Sequence, residues 1–439
     1  MNYQETVEYL NHLPVFQPSK VKSGEQIMGL DSIRVLLERL EHPERKLRCI
    51  HVGGTNGKGS TVAFLRRILL EAGYKVGSFQ SPAIDHLREQ IQLNQKDIPE
   101  EAFARAMTRI RKEVEFMAEN HLGLPTMFEM IVTAALLYFL EEQTDFVILE
   151  VGLGGDIDAT NVIPTPELAI LTTISYDHME LLGNTLSEIA RHKAGIIKEG
   201  GLVLTYPQEE EVMEVLIDKC RQVGATLITA SLPEAAIRYD LEGQEFDTER
   251  LKNLHIGLLG TYQIRNAAVA VKAVELLNRT LHGEMKISDD AIRAGLWKTE
   301  WPARFQLISK NPYIIVDGGH NMQGIEMLKD SLIRYFPNQK IRFVTGVLAD
   351  KEYKKMMNVI MPISKRFYTI TPENPRALEA KQLAEYLKSI GGDAVSCDTL
   401  DEAMRRARKD TLQHEVICVF GSLYFVGKVC RNCVDIVHN

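Results

Sequence analysis

"CIHVGGTNGKGSTVAFL", Cys49 to Leu65, joins an apolar run to a glycine-rich turn with one lysine and then to a helical pattern. Residues 46–52 read as a buried strand. Apolar residues then recur at Val62, Leu65, Ile68, Leu69 and Ala72, on one helix face, until Gly73 stops the helix. Strand, glycine turn and helix in that order are the setting a phosphate loop requires. Gly53, Gly54, Gly57 and Gly59 let the backbone approach an anion and tolerate positive φ. The amides around Gly54, Thr55, Asn56 and Gly57 lie at the head of a helix, where the dipole favours negative charge. Lys58 would reach the terminal phosphates, and Ser60 or Thr61 would offer a hydroxyl to Mg²⁺. The spacing departs from the common G-x-x-x-x-G-K-[ST] pattern, because Val52 stands at the first glycine position and Gly59 follows the lysine directly. A phosphate loop does not name a reaction, so the rest of the chain must.

Working outward, the pattern alternates between strands and helices. "KVGSF" (75–79) is a short strand, and a helix from Pro99 shows Phe103, Met107, Ile110, Val114 and Met117 on one face. "PTMFEMIVTAALLYFLEE" is apolar nearly all round, as a buried helix is. "DFVILEVG" and "LAILTTIS" are continuous apolar strands of the kind covered on both faces in a parallel sheet. Thr185 and Glu188 form a capping box, and "GLVLTY" and "ATLITA" continue the alternation. The fold class is therefore α/β, with a doubly wound, mostly parallel sheet behind the phosphate loop. "GLWKTEWPARFQ" (295–306) interrupts the pattern, and alternation restarts with "YIIVDGGHN" as strand into turn, the strands "IRFVTGVLAD" and "RFYTIT", and "VICVFGSLYFVG" as the last strand. The boundaries expected are a phosphate-loop domain at 1–298 and a smaller Rossmann-like α/β domain at 303–439.

The 439 residues give ample core for two or three domains, and the 45% hydrophobic and 25% charged composition is that of a globular protein. A net charge of −8 argues against a broad nucleic-acid surface. The six scattered cysteines suit free thiols in a reducing compartment, and the lone Cys430-x-x-Cys433 pair lacks the further ligands a zinc site needs. No basic region with an apolar run opens the chain, and no apolar run is long enough to span a bilayer. The expectation is a soluble cytoplasmic protein with no membrane or nucleic-acid partner.

Two further stretches carry chemistry. "FVILEVGLGGDIDATN" ends a buried strand on Glu150, where α/β sheets bind ligands and where a carboxylate suits Mg²⁺. The alternative is a solvated strand-end glutamate, and Asp156 and Asp158 read as turn residues. "ISYDHMELLGNTLSEIARHKAGIIK" supplies Asp177, His178 and, a helix later, Lys193. A lysine beside a metal is electrostatically awkward unless its amine has taken up CO₂ to become a carbamate, an anion able to bridge to a metal. The plain alternatives are a structural histidine and a helix-surface lysine.

In order along the chain, "HVGGTNGKGST", "TMFEMIVTAALLYFL", "LEVGLGGDIDATN", "DHMELLGNTLSEIARHKAGIIK", "GTYQIRNAAVA", "WPARFQ", "DGGHN" and "GSLYFVG" resemble the folylpolyglutamate synthase/dihydrofolate synthase family of the Mur-ligase superfamily. The resemblance runs from about residue 20 to 427. It implies an ATP-dependent amide ligase that makes an acyl phosphate on a folate-type carboxylate and joins L-glutamate to it. It implies that Gly54, Thr55, Asn56, Gly57, Lys58, Gly59, Ser60, Thr61, Gln263, Asn266, Arg304 and Asp317 bind ATP. It implies that Ser60, Ser81 and Glu150 hold one Mg²⁺, and that His178 and carbamylated Lys193 hold a second, with Lys58, His178 and Lys193 the catalytic set. Ser81, Pro82, Arg88, Asp317 and His320 are implied in substrate binding. ATP and Mg²⁺ at two sites are the implied cofactors, with K⁺ as a further cation. The implied partners are small molecules (folate or dihydropteroate, L-glutamate and ATP), and the implied assembly is a monomer.

Three positions depart from the family pattern: Ala83 where His is common, Gln90 where Arg often follows Glu, and Tyr262 where His is frequent. The first two lie near the expected folate-type substrate and bear on acceptor choice. The competing readings are a Mur-type ligase for another carboxylate and a nucleotide-binding protein that has lost catalysis. Only about 50 residues precede the phosphate loop, which argues against a separate UDP-binding domain there, and Lys58, Glu150, His178 and Lys193 argue against lost catalysis.

Overall fold

The apolar runs flanked by polar or glycine residues become strands because both their faces are covered. The computed structural model describes residues 1–13, 29–233 and 236–431; Cys433, and with it the Cys-x-x-Cys pair, lies outside the described residues. The chain folds as two compact units, Met1–Leu232 with Asn266–Leu296, and Pro233–Arg265 with Trp297–Asn439.

The first unit is built on β1 (Cys49–Gly53), β2 (Val76–Phe79), β3 (Ile91–Leu93), β4 (Lys96–Asp97), β5 (Phe146–Glu150), β6 (Leu168–Leu171), β7 (Leu202–Thr205) and β8 (Thr226–Thr229). They form one sheet in the order β4-β3-β2-β5-β1-β6-β7-β8. From β2 to β8 every neighbouring pair is parallel, and β3 and β4 add an antiparallel edge. β1 leads to β2 on one side and its neighbour β6 leads to β7 on the other, so the connections diverge between β1 and β6, where a parallel sheet opens a crevice at its carboxyl ends. The helix Lys58–Glu71 starts at that crevice. The helix Met127–Glu141 opens with a Thr126–Glu129 capping box and is apolar nearly all round because it lies in the core beside Ile110 and Leu149. The box at Thr185 and Glu188 is formed, with Glu188 N donating to Thr185 Oγ1 at 3.2 Å and Thr185 N to Glu188 Oε2 at 3.0 Å.

The second unit contains a three-stranded antiparallel meander of β9 (Arg238–Asp240), β10 (Gly243–Phe246) and β11 (Leu254–Ile256). The strands are too short for a strand period to stand out in the sequence: β9 is one tyrosine between two charged residues, and the other two have three or four residues. Its main sheet has β12 (Gln306–Lys310), β13 (Tyr313–Asp317), β14 (Ile341–Thr345), β15 (Ser364–Thr369), β16 (Ala394–Ser396) and β17 (Val416–Phe420) in the order β12-β13-β17-β14-β15-β16. Only β12 runs antiparallel to its neighbour. "VICVFGSLYFVG", read as one strand, is a strand followed by the helix Leu423–Arg431. Gly421 makes the turn at φ +118°, where a Cβ would meet Gly346 O at 2.6 Å. Among the described residues, no helix is long and apolar enough to cross a membrane.

Candidate active site

The turn after β1 is shaped by glycine. Gly54 has φ +130°, and a Cβ there would sit 2.0 Å from Thr172 Oγ1. Gly57 has φ +88°, and a Cβ there would sit 2.6 Å from Asn266 Oδ1. Gly57 is also the N-cap of the helix Lys58–Glu71 and offers no capping side chain, so the helix head is left to an anion. Neighbouring strand ends hold the turn. Thr55 N donates to Thr173 O at 2.7 Å, Thr55 Oγ1 donates to Ser175 O at 3.1 Å, and Thr173 Oγ1 donates to Asn56 O at 3.2 Å. Asn266 reaches the same turn and accepts from the Tyr206 hydroxyl at 2.5 Å. Gln263, at the start of the same helix, is fully buried.

Two lysines converge on one carbonyl. Lys58 Nζ donates to Gly54 O at 3.2 Å and to Thr55 O at 3.1 Å, and Lys193 Nζ donates to Gly54 O at 2.9 Å. Burial pushes Lys193 down to about 7, and the Lys58 ammonium pushes the same way; Asp177 and Asp158 oppose them. Lys193 therefore spends much of its time as a neutral amine near neutral pH, and only the neutral amine reacts with CO₂. Lys193 ends the helix Leu186–Lys193, against which the "GLGG" turn packs: a Cβ on Gly155 would meet Lys193 O at 2.7 Å.

Glu150 ends β5 and is buried. A Cβ on Gly152 would lie 3.1 Å from Ser81 Oγ, which places the Ser81 hydroxyl beside the turn that follows Glu150. Ser60 and Thr61 are buried, and Thr61 Oγ1 has no hydrogen-bond partner. The Glu150 carboxylate and the Ser81 hydroxyl beside the turn that follows it are oxygen donors of the kind Mg²⁺ takes. His178 precedes the helix Met179–Leu182 at φ +50°, its ring partly exposed and its Nε2 3.8 Å from Asp177 Oδ2. Pro82 follows Ser81 through a cis peptide. The Arg88 guanidinium is held by Ile98 O at 3.0 Å, by Glu100 Oε1 at 3.3 Å and under the Tyr3 ring at 5.3 Å from its centroid.

In the second unit, Arg304 sits on a turn whose flanking residues, Ala303 and Phe305, both have positive φ (59° and 45°) although neither is glycine. Asp317 fixes that turn: its Oδ2 accepts from Phe305 N at 2.8 Å and from the Tyr262 hydroxyl at 2.9 Å, and its Oδ1 accepts from Gly319 N at 2.7 Å. Burial pushes the Asp317 carboxyl up, against the Arg304 guanidinium and these hydrogen bonds. Arg304 Nη1 donates to Ala303 O at 3.0 Å, and His320 Nδ1 lies 2.9 Å from Gly318 O.

Comparison with known proteins gives the fold that carries this turn a family. The Mur ligase middle domain matches residues 52–274, and the Mur ligase glutamate ligase domain matches 303–423. A dihydrofolate synthase/folylpolyglutamate synthase of Bacillus subtilis is 38% identical over 410 residues, 91% of this chain and 94% of the relative. The chain belongs to the folylpolyglutamate synthase/dihydrofolate synthase family of Mur ligases. A folylpolyglutamate synthase of Lacticaseibacillus casei is 34% identical over 98% of each chain. The solved structure of Escherichia coli FolC in complex with DHPP and ADP superposes with a TM-score of 0.85 at 29% identity, covering 100% of this chain and 99% of that one.

Within this family frame, sequence reasoning missed several residues. Asp158, read as a turn residue, is a buried anchor. Its Oδ2 accepts from Gly152 N at 2.9 Å and Leu153 N at 2.8 Å, and its Oδ1 accepts from Thr160 N at 2.9 Å and Thr160 Oγ1 at 2.5 Å. His51 Nε2 lies 2.8 Å from Thr160 Oγ1, and burial holds the imidazole neutral by lowering it to about 3. Together these bonds fix the turn that follows Glu150. Asp156 instead pairs with His192 Nδ1 at 2.9 Å. Asp158 in "DATN" carries the acidic N-cap signal in the sequence, but its burial does not show there.

Proposed function

We propose that this protein uses ATP to join L-glutamate to the carboxylate of a folate, of dihydropteroate, or of both. The observation that carries the reading is the glycine turn of Gly54 and Gly57, with Lys58 and Lys193 both donating to Gly54 O at a helix head that has no side-chain cap. The Bacillus subtilis relative is named for both activities, and the Escherichia coli structure holds DHPP and ADP.

In this reading the ATP-binding ligase domain expected at 1–298 is the first unit, and the C-terminal domain expected at 303–439 is the core of the second unit, with which residues 233–265 fold. The amides of Gly54 to Gly57 and of the first helical turn (Lys58, Gly59, Ser60 and Thr61) orient the polyphosphate, and Lys58 offsets charge on the transferring group. Gln263, Asn266, Arg304 and Asp317 complete the nucleotide contacts. The acceptor carboxylate attacks the γ-phosphorus, ADP leaves, and an acyl phosphate results. The glutamate amine then attacks the acyl carbon, so a C–N bond forms, the C–O bond to phosphate breaks, and the amine loses its proton. Mg²⁺, when bound, supplies electrostatic stabilisation of the phosphoryl oxygens. Ser60, Ser81 and Glu150 would hold one ion. His178 and Lys193 would hold the second once the neutral Lys193 amine has added CO₂ and lost a proton to give a carbamate. Ser81, Pro82, Arg88, Asp317 and His320 would contact the acceptor or glutamate. We further propose K⁺ as an additional cation, a monomeric state and a cytoplasmic location.

The test is purified protein with Mg-ATP and L-glutamate, divided between dihydropteroate and tetrahydrofolate, with mass spectrometry for glutamate addition. Product from both acceptors assigns both activities, and product from one assigns that one. ATP consumption that needs neither acceptor nor glutamate would refute the reading. Lys193→Ala is expected to lose most turnover while still binding ATP, and full activity would refute the carbamate.

A further inference from the structure

Arg66 lies on the helix that begins with Lys58, and only 3% of it is exposed. Burial pushes its guanidinium down to about 10. A buried charge is retained at a cost, so its surroundings should reveal what it does. Nη1 donates to Ser78 Oγ at 3.1 Å, to Gln80 Oε1 at 3.3 Å and to Gln92 Oε1, and Nε has no hydrogen-bond partner. No carboxylate among the described residues pairs with it directly. The balancing charge is Asp97, which accepts from Gln92 Nε2 at 2.8 Å, so the Gln92 amide relays between cation and anion.

The three acceptors occupy the two stalks of one loop. Ser78 on β2 pairs with Gln92 on β3, and Gln80 N donates to Gln90 O at 3.0 Å where the loop closes. Gln80 Nε2 also donates to Gly59 O at 3.4 Å, back on the phosphate-loop helix. The loop between the stalks carries Ser81, Pro82 and Arg88. It also carries Ala83 and Gln90. Gln90 is buried and uncharged.

We propose that Arg66 is a positioning residue that, through Gln80 and Gln92, fixes the loop at 81–90 relative to the phosphate loop and so sets how well the loop holds the carboxylate acceptor. The inference rests on the ligase reading above for its kinetic consequence, but not for its structural one.

The experiment compares the full-length protein with Arg66→Met, which keeps the apolar stem and removes the charge, and with Gln92→Leu, which keeps the charge and removes the relay. Arg66→Lys is the conservative variant. The readouts are KM and kcat for acceptor and for ATP, and amide hydrogen exchange across residues 78–98. Arg66→Met is expected to raise acceptor KM about tenfold with kcat and ATP KM within about twofold. Exchange at 81–90 should rise, and Arg66→Lys should recover part of both changes. Gln92→Leu should shift the same quantities in the same direction. A lower melting temperature with acceptor KM and loop exchange unchanged would mean a packing role and would overturn the proposal; so would equal losses for acceptor and ATP. If the unaltered protein glutamylates no acceptor, the ligase reading fails on its own. Exchange then decides the positioning role, and unchanged exchange at 81–90 overturns it.

Discussion

Replacing Gly54 by alanine tests the phosphate turn at its tightest point. At φ +130° the backbone is in a region that L-residues avoid, which costs about 1–3 kcal/mol. The new Cβ would lie 2.0 Å from Thr172 Oγ1, 3.0 Å from Thr172 Cβ and 3.0 Å from Thr172 N. Rotating the threonine clears only the first contact. The other two are fixed by the strand end, because Thr172 N donates to Gly53 O at 2.9 Å. Overpacking of this kind costs about 1–3 kcal/mol more, and the Thr172 hydroxyl, which donates to Gly53 O at 3.1 Å, would lose about 1 kcal/mol of hydrogen bonding. Gly73→Ala is the reference: its φ is +88°, but nothing lies within 4 Å, so it carries the backbone term alone, about 1–2 kcal/mol. Urea unfolding should therefore place Gly54→Ala about 2–4 kcal/mol below Gly73→Ala. Calorimetry should show ATP binding lost in the first variant and kept in the second. Adding Thr172→Ala to Gly54→Ala should recover part of the stability, since the hydroxyl contact goes and the backbone contact stays. Equal stability and equal ATP affinity in the two single variants would refute the argument that close approach demands glycine here.

Thr61→Val removes a buried hydroxyl that has no protein partner, so unfolding free energy should stay level or rise by about 1 kcal/mol while KM for Mg-ATP rises about tenfold; an unchanged KM would remove Thr61 from the ATP-binding set. Asp158→Ala strands the amides of Gly152, Leu153 and Thr160 and should cost about 3–5 kcal/mol with a large loss of turnover, measured by denaturation midpoints and steady-state rates. Lys193 is held at about 7 in the fold against 10.5 for an ordinary lysine. Between those values the unfolded chain binds a proton that the folded chain does not, so stability should rise with pH through that window, by up to about 1.4 kcal/mol per unit. Below about 7 both states are protonated and the slope vanishes. Lys193→Met should remove the slope in CO₂-free buffer, and identical slopes in the two proteins would show that the amine is not buried as described.

The sequence by itself determined the alternation of strands and helices, the phosphate turn and the order of the family motifs. These are local signals: an apolar period, a glycine where φ turns positive, a capping box at Thr185 and Glu188. It marked Glu150 as a strand-end carboxylate and Lys193 as a lysine that needed explaining. It could not give the antiparallel meander, because β9 has no apolar residue period to read and is defined by its pairing with β10. Tertiary structure alone decided that Lys58 and Lys193 meet on Gly54 O, since the partners lie 139 residues apart for the second bond. Proximity at that range comes from which strand ends are neighbours, and β1 beside β6 is a property of the whole sheet. The same holds for Asp158 and Arg66. Each looks like an ordinary polar residue in its own segment, and each becomes consequential only when packing removes it from water and leaves a few fixed dipoles to satisfy it.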